Sequence, residues 1–305
     1  MARPAPTDPT YSPVLLGALA LVAVAVVAAL LAGHRRRGTV LGWRPWCAVL
    51  ALVLLAVAYV SPLATLAAHY LLTAHLVQVT LVMGFAPPLL LIGLDPSVGM
   101  GSRWGRRLEW LAHPALAIVL INVVFFGWHA RPLYRACLQH PELYSLQQVS
   151  LLAVSLAFWW PIVKPDGCGR WCMGSLGKLG YILLATIPQT FAGLLFALAH
   201  HAFYTDYADA ARSLGVNPLT DQQLAGACMA LLSKLALFAA FSVVLWRMLE
   251  PGGADGDADD DSGGGDGRDA PLPVRPGAPA WLRLLDAPRL RDEPPARRPA
   301  AADRH

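Results

Sequence analysis

The sequence predicts an all-α protein, a polytopic transmembrane helix bundle with about seven spans. Hydrophobic residues make up 56% of the 305 residues and charged residues only 14%, whereas a soluble domain has roughly 45–50% and about 25%. The apolar residues also lie in separate runs, most of them near the roughly 20 residues that a helix needs to cross a bilayer. Finally, basic residues alternate from loop to loop. A soluble fold of this composition could not cover its surface with polar groups.

The spans can be read in order along the chain. Apolar runs predict spans at about 13–32, 43–60, 70–93, 113–129, 146–163, 179–199 and 227–248. The first run differs from a signal peptide because its basic residues, Arg35 to Arg37, follow it instead of preceding it, so we expect it to remain as a helix. Pro87 with Pro88 in the third run and Pro188 in the sixth remove helix hydrogen bonds and are expected to kink those helices.

The basic residues predict the orientation of the bundle. One set of connections carries ten of them: Arg35, Arg36, Arg37, Arg44, Arg103, Arg106, Arg107, Lys164, Arg170 and Lys178. The other set carries four: Arg3, Arg131, Arg135 and Arg212. Short loops rich in Lys and Arg stay in the cytoplasm. We therefore expect the N-terminus outside and the C-terminus in the cytoplasm.

These boundaries divide the chain into three parts. Residues 1–12 form a short extracytoplasmic N-terminus and residues 13–249 the seven-span domain. After Glu250 the composition changes to Gly and Asp, and then to Pro, Ala and Arg. Such a segment has too little apolar surface to fold alone. Residues 250–305 are therefore predicted to be a disordered cytoplasmic tail.

Histidines collect on one side of the predicted bundle. The predicted topology places on the outer side His69, His75, His129, His140, His200 and His201. Imidazole is the commonest protein ligand for metals, and an ionisable residue within a span, such as His75, usually has a partner or a task. On a helix, His69 and His75 point about 120° apart and cannot chelate together. A metal site would therefore combine His75, His129 and one of His200 or His201 from the third, fourth and sixth spans.

The common soluble-enzyme motifs are absent from the sequence. It contains no dinucleotide-binding glycine fingerprint, no phosphate-binding loop and no His-Glu-x-x-His zinc motif. We therefore expect a protein that is not an enzyme and that acts within the lipid bilayer, without a nucleic-acid partner.

Several strings come in the order of a known family. They are His75-Leu-Val-Gln-Val79 leading into Ala86-Pro-Pro-Leu-Leu-Leu-Ile-Gly93, Trp128-His129 with Tyr134, Phe158-Trp-Trp-Pro161, and Asp221-Gln-Gln-Leu-Ala-Gly-Ala-Cys-Met229. Together they resemble the CtaG-type cytochrome c oxidase assembly factors from about residue 60 to about residue 248. The last string is the most specific, with the motif positions Asp221, Gln222, Gly226 and Met229. The resemblance implies a multi-pass protein of the bacterial plasma membrane that assists haem-copper oxidase subunits, through copper insertion.

This chain departs from the family at several positions. Val79 stands where the family usually has a second histidine, and Tyr144, Gln147 and Gln148 stand where it tends to have His, Glu and His. After Met229, the usual Trp and Pro-Gly are replaced. The resemblance therefore implies a divergent member with a reduced or rearranged metal site. The imidazoles that could replace the missing ones are His69, His140, His200 and His201.

Three functional classes remain open. The leading class is an assembly factor or metallochaperone that carries copper on the outer face, with His75, His129, His200 and His201 as candidate ligands. The second is a membrane redox protein with haem b between His75 and His129 as axial ligands. The third is a transporter of a metal or small solute. It is weakened by the lack of clear internal repeats and by polar groups concentrated on one side instead of at the midplane.

Overall fold

The computed structural model describes residues 4–9, 12–37, 42–94, 113–163, 171 and 173–250. Within these ranges the chain is helical and has no strand, which confirms the all-α prediction. The α-helices are α1 (Pro13–Arg37), α2 (Arg44–Val60), α3 (Pro62–His69), α4 (Leu72–Thr80), α5 (Ala86–Gly93), α6 (Pro114–His129), α7 (Arg131–Gln139), α8 (Pro141–Val163), α9 (Ser175–Ala197), α10 (Ala208–Ser213), α11 (Pro218–Ala230) and α12 (Leu235–Leu249). The predicted tail, residues 251–305, lies outside the described residues.

The helices are long and apolar enough for a multi-pass membrane protein. In the described part of the chain, five segments qualify as spans, namely Pro13–Leu31, Leu72–Gly93, Pro141–Val163, Ser175–Ala197 and Pro218–Leu249. Two bent pairs, α2 with α3 and α6 with α7, bring the number to seven if each pair is one span. The predicted number of about seven agrees with this upper count. Which side of the membrane each end faces stays a prediction.

The third span lies at the centre of the bundle and has a local irregularity. Most residues of α4 are buried, and a short π-helix, Leu81–Phe85, joins α4 to α5. This wider turn ends two residues before Pro87. Proline has no N–H group to donate to the carbonyl four residues earlier, as a regular α-helix requires. In the sixth span, α9 continues as a helix through Pro188.

Short helices that the apolar runs did not predict cover one end of the bundle. The chain bends by 48° between α2 and α3 and by 67° between α6 and α7. Two tyrosine hydroxyls join the covering segments: Tyr207 donates to the carbonyl of Ala67 at 2.7 Å, and Tyr204 donates to the carbonyl of His129 at 2.5 Å. The ends of the second, fourth and sixth spans are thereby held at the same end of the bundle.

Helices α9 and α11 approach each other at two glycines. A Cβ atom built on Gly226 would lie 2.6 Å from the carbonyl oxygen of Gly193, and one on Gly193 would lie 2.8 Å from that of Gly226. Small residues allow this close backbone approach between membrane helices. The contact fixes α11 against the sixth span, and α11 also packs against α4.

We expect Gly226→Ala to destabilise the bundle by about 1–3 kcal/mol, because the added methyl group meets backbone atoms that cannot move independently. The matched control is Gly180→Ala on the exposed face of α9, where an added Cβ meets nothing within 4 Å. Thermal unfolding of the detergent-purified variants measures the difference. Equal unfolding temperatures for the two variants would contradict the close packing.

Candidate metal site at the covered end

The structure brings His75 and His129 together. His75 lies in the first turns of α4 and is fully buried, whereas His129 is the last residue of α6. Their ring centroids are 5.4 Å apart, with the ring planes inclined by 56°. Two residues that are 54 positions apart in the sequence therefore form one pair inside the covered end of the bundle.

The hydrogen bonding of these rings leaves ligand atoms free. Nδ1 of His129 lies 2.7 Å from the carbonyl oxygen of Phe125. Since a carbonyl only accepts, Nδ1 carries the proton and Nε2 keeps its lone pair. That Nε2 atom and both nitrogens of His75 are buried without a hydrogen-bond partner among the described residues. A histidine that ligates a metal characteristically donates its other N–H to a carbonyl in this way.

An aromatic shell surrounds the imidazole pair. Tyr134 lies edge-on to His75 at 5.2 Å and stacks on His129 at 5.8 Å, while Phe125 stacks on His129 at 4.3 Å. The hydroxyl of Tyr134 donates to that of Tyr207 at 2.8 Å, which in turn donates to a backbone carbonyl. The shell restricts the rotation of both rings.

Tyr204, at the same end of the bundle, lies on the connection between α9 and α10. Burial raises its pKa to about 12. Its phenol therefore stays neutral at physiological pH and acts as a hydrogen-bond donor to the carbonyl of His129.

The other predicted ligands do not join the pair. His200 and His201 are exposed on the connection that follows α9, and the ring of His201 contacts Phe203 at 4.6 Å. His140 is exposed, 3.4 Å from a carboxylate oxygen of Glu142. Within the described ranges, no three His, Cys, Asp or Glu side chains are close enough to hold one metal ion. The predicted group of three histidines is therefore not assembled in this structure.

Asp221 positions the helix that carries His75. Its two carboxylate oxygens accept hydrogen bonds from the backbone N–H of Leu72 at 2.8 Å and of Thr73 at 3.0 Å. The residue before α4 is Leu71, which offers no side-chain cap, so a residue from another helix satisfies the first N–H groups. A negative charge at this position also interacts favourably with the helix dipole. Asp221 is only 3% exposed and therefore lies in the interior of the protein.

The rest of the Asp-Gln-Gln motif holds the connection after α9. The side-chain oxygen of Gln222 accepts from the N–H of Phe203 at 2.5 Å, and its amide nitrogen donates to the carbonyl of His201 at 3.2 Å. Gln223 donates to the carbonyl of Ala199 at 3.0 Å. The sequence indicates this motif but not the hydrogen bonds that its side chains form. The absence of a local cap at Leu71 was the available signal that a remote residue caps α4.

Three of the positions that depart from the family pattern remain polar and buried. Tyr144 donates to the side-chain oxygen of Gln78, whose nitrogen donates to the carbonyl of Ala58 at 2.6 Å. The amides of Gln147 and Gln148 are fully buried and have no hydrogen-bond partner among the described residues. The ring of Tyr144 lies 5.9 Å from that of His75. The polar interior therefore extends from the imidazole pair into α8.

A cavity of about 290 Å³ lies beside the pair. His129, Met229 and Tyr204 supply its polar or polarisable groups, and its other lining residues are apolar: Leu72, Leu76, Phe125, Phe126, Ala130, Ala192, Leu195 and Phe196. The motif residue Met229 is 3% exposed. Of the imidazole pair, His129 lines this cavity.

Fold and site together define a multi-pass helical membrane protein with a buried pair of imidazoles at one end. The family model of the cytochrome c oxidase caa3 assembly factors (Caa3_CtaG) matches residues 24–250, and the chain belongs to this family. The resemblance expected from residues 60–248 is confirmed, and the match begins earlier in the chain. No curated protein and no solved structure matches the sequence.

We expect Asp221→Asn to loosen the start of α4, because the amide presents N–H groups to two backbone donors. Loss of a helix cap costs about 0.5–2 kcal/mol. Faster hydrogen exchange at residues 72–76 and a lower unfolding temperature would show it. The control is Asp209→Asn, whose exposed carboxylate forms a surface ion pair with Arg212 at 2.9 Å and should change little. Unchanged exchange at α4 in Asp221→Asn would refute the capping role.

Proposed function

We propose that this member of the oxidase assembly family acts as a copper metallochaperone, without enzymatic activity of its own. The observation that carries this proposal is the pair formed by His75 and His129, with buried nitrogens that have no hydrogen-bond partner among the described residues. A buried polar atom left without a partner costs about 1–3 kcal/mol. A bound metal ion would repay this cost, and imidazole is a good ligand for copper.

The position of the pair suits an ion that must be both held and passed on. His75 is on the central helix and fully buried, whereas His129 ends its helix and is half-buried beside the cavity. The central residue would retain the ion, and the residue at the helix end would exchange it. In this proposal the exposed His200 and His201 meet the ion at an earlier stage.

The predicted topology favours the outer face for this transfer. The basic loops predict that the covered end of the bundle, with its imidazole pair, lies on the extracytoplasmic side. An oxidase copper centre that is exposed to that side would receive its metal there. The partners in this proposal are therefore subunits of the haem-copper oxidase that the family assembles, met within the plasma membrane of a bacterium.

Packing around the pair favours an ion over a haem group. In a bis-histidine haem the macrocycle lies between the two axial imidazoles. Here the ring of Tyr134 contacts both imidazoles, at 5.2 Å and 5.8 Å, and its hydroxyl is fixed by Tyr207. A flat macrocycle would have to displace this tyrosine, whereas a single ion would not.

Metal analysis of the purified protein tests the proposal. We expect stoichiometric copper in the wild type after exposure to copper, and loss of most of it in His75→Ala and in His129→Ala, since each removes one imidazole of the pair. The control is His140→Ala, which removes an exposed imidazole outside the pair and should keep its copper. A metal-free wild type under copper-replete conditions would refute the proposal.

The same variants separate the copper role from the assembly role in cells. A deletion strain complemented with His75→Ala should assemble less active haem-copper oxidase than one complemented with His140→Ala, at equal membrane levels of both proteins. Normal oxidase activity in the deletion strain would contradict an assembly role for this chain. Variants of His200 and His201 measure whether those imidazoles contribute.

A further inference from the structure

The cavity beside the pair contains one sulfur atom in its wall. Met229 lies on α11, eight residues after the capping Asp221, and is 3% exposed. It lines the same 290 Å³ cavity as His129 and Leu76, the residue next to His75. Its side chain has three rotatable bonds, so its thioether can change position within such a space.

The ligand groups around this cavity are uncharged. Of its lining residues, His129 offers an imidazole, Met229 a thioether and Tyr204 a phenol, and the ring of His75 lies 5.4 Å from that of His129. Within the described ranges, no carboxylate or thiol joins a group of three around an ion. Burying a charge in an apolar environment is costly unless it is compensated, and this cost rises steeply from a monovalent to a divalent ion. The site therefore favours a monovalent ion.

Chemical softness leads to the same conclusion. Thioether and imidazole together suit Cu(I), whereas carboxylates and carbonyls suit hard cations. A divalent ion such as Zn²⁺ usually takes four ligands, including thiolates or carboxylates that neutralise part of its charge. The described residues offer two imidazoles and a thioether at this place, a set that matches the low coordination number of Cu(I).

Building on the proposed copper function, we propose that Met229 is the third ligand beside His75 and His129, and that the site takes copper as Cu(I). The thioether takes the third ligand position, for which the sequence predicted His200 or His201. The motif from Asp221 to Met229 would then have two roles, both on α11. Asp221 positions α4 and His75, and Met229, two turns further along α11, binds the ion.

The test is Met229→Leu in the full-length, detergent-purified protein. Leucine has nearly the volume of methionine but no sulfur. The matched control is Met83→Leu, since Met83 is also a buried methionine of the same apolar core and does not line the 290 Å³ cavity. Affinity is measured by competition with a chromogenic Cu(I) chelator under reducing conditions, and Ag(I) and Zn²⁺ are titrated in parallel.

We expect Met229→Leu to weaken Cu(I) binding at least about tenfold, with Met83→Leu close to the wild type. Wild-type protein should bind Ag(I) and prefer Cu(I) over Zn²⁺. X-ray absorption at the copper edge should show nitrogen and one sulfur neighbour in the wild type, and only nitrogen or oxygen in Met229→Leu. The wild-type spectrum tests the ligand even if the variant folds poorly.

The outcomes separate this inference from the function on which it rests. A wild type that binds no copper refutes the proposed function. Copper bound by His75 and His129, with no sulfur neighbour in the wild type, overturns only the role of Met229. A sulfur signal that survives Met229→Leu assigns the sulfur to another residue and overturns it too. Tighter binding of Zn²⁺ than of Cu(I) would overturn the preference for a monovalent ion.

Discussion

The interaction between Asp221 and the start of α4 is the one on which the rest of the site depends. Two backbone N–H groups at Leu72 and Thr73 converge on this carboxylate, and the next turn of the same helix carries His75. The third span therefore begins where the seventh span fixes it. Because the carboxylate is buried, the interaction is hardly screened by solvent. The contact fixes the first turn of the central helix against α11.

The covered end of the bundle combines several buried polar groups, whereas many exposed side chains of the described helices are apolar. Gln222 accepts a hydrogen bond from the connection after α9 and Gln223 donates one to it. Tyr204 and Tyr207 donate the hydrogen bonds that join this connection to α6 and α3. In an apolar environment each buried polar group needs a partner, so these bonds are strongly favoured. The imidazole pair and the amides of Gln147 and Gln148 are exceptions among the described residues. The proposed copper site lies at the unsatisfied imidazole nitrogens, whereas other unsatisfied atoms, such as those of Tyr59, Asn122 and Ser155, have no assigned ligand.

The departures from the family pattern gain a physical meaning in this setting. A site rich in histidine and glutamate would carry charge and suit several metals. Here the corresponding positions hold Val79, Tyr144, Gln147 and Gln148, all of them uncharged, and Tyr144 is used in a hydrogen bond to Gln78. The structure keeps the buried polar interior and removes its charge. An uncharged imidazole pair beside a thioether suits fewer metals than a charged site would.

The sequence by itself determined the fold class and indicated His75 and His129 as residues of interest, because bilayer thickness fixes the length of apolar runs and an ionisable residue in or at the end of a span usually has a partner or a task. It could not determine which histidines meet. That depends on helix rotation and on the short helices α3, α7 and α11, which the apolar runs do not reveal. Tertiary packing alone placed Asp221 at the start of α4, left His200 and His201 exposed, and brought Met229 to the cavity. These outcomes depend on contacts between residues up to about 150 positions apart, which local sequence patterns do not specify.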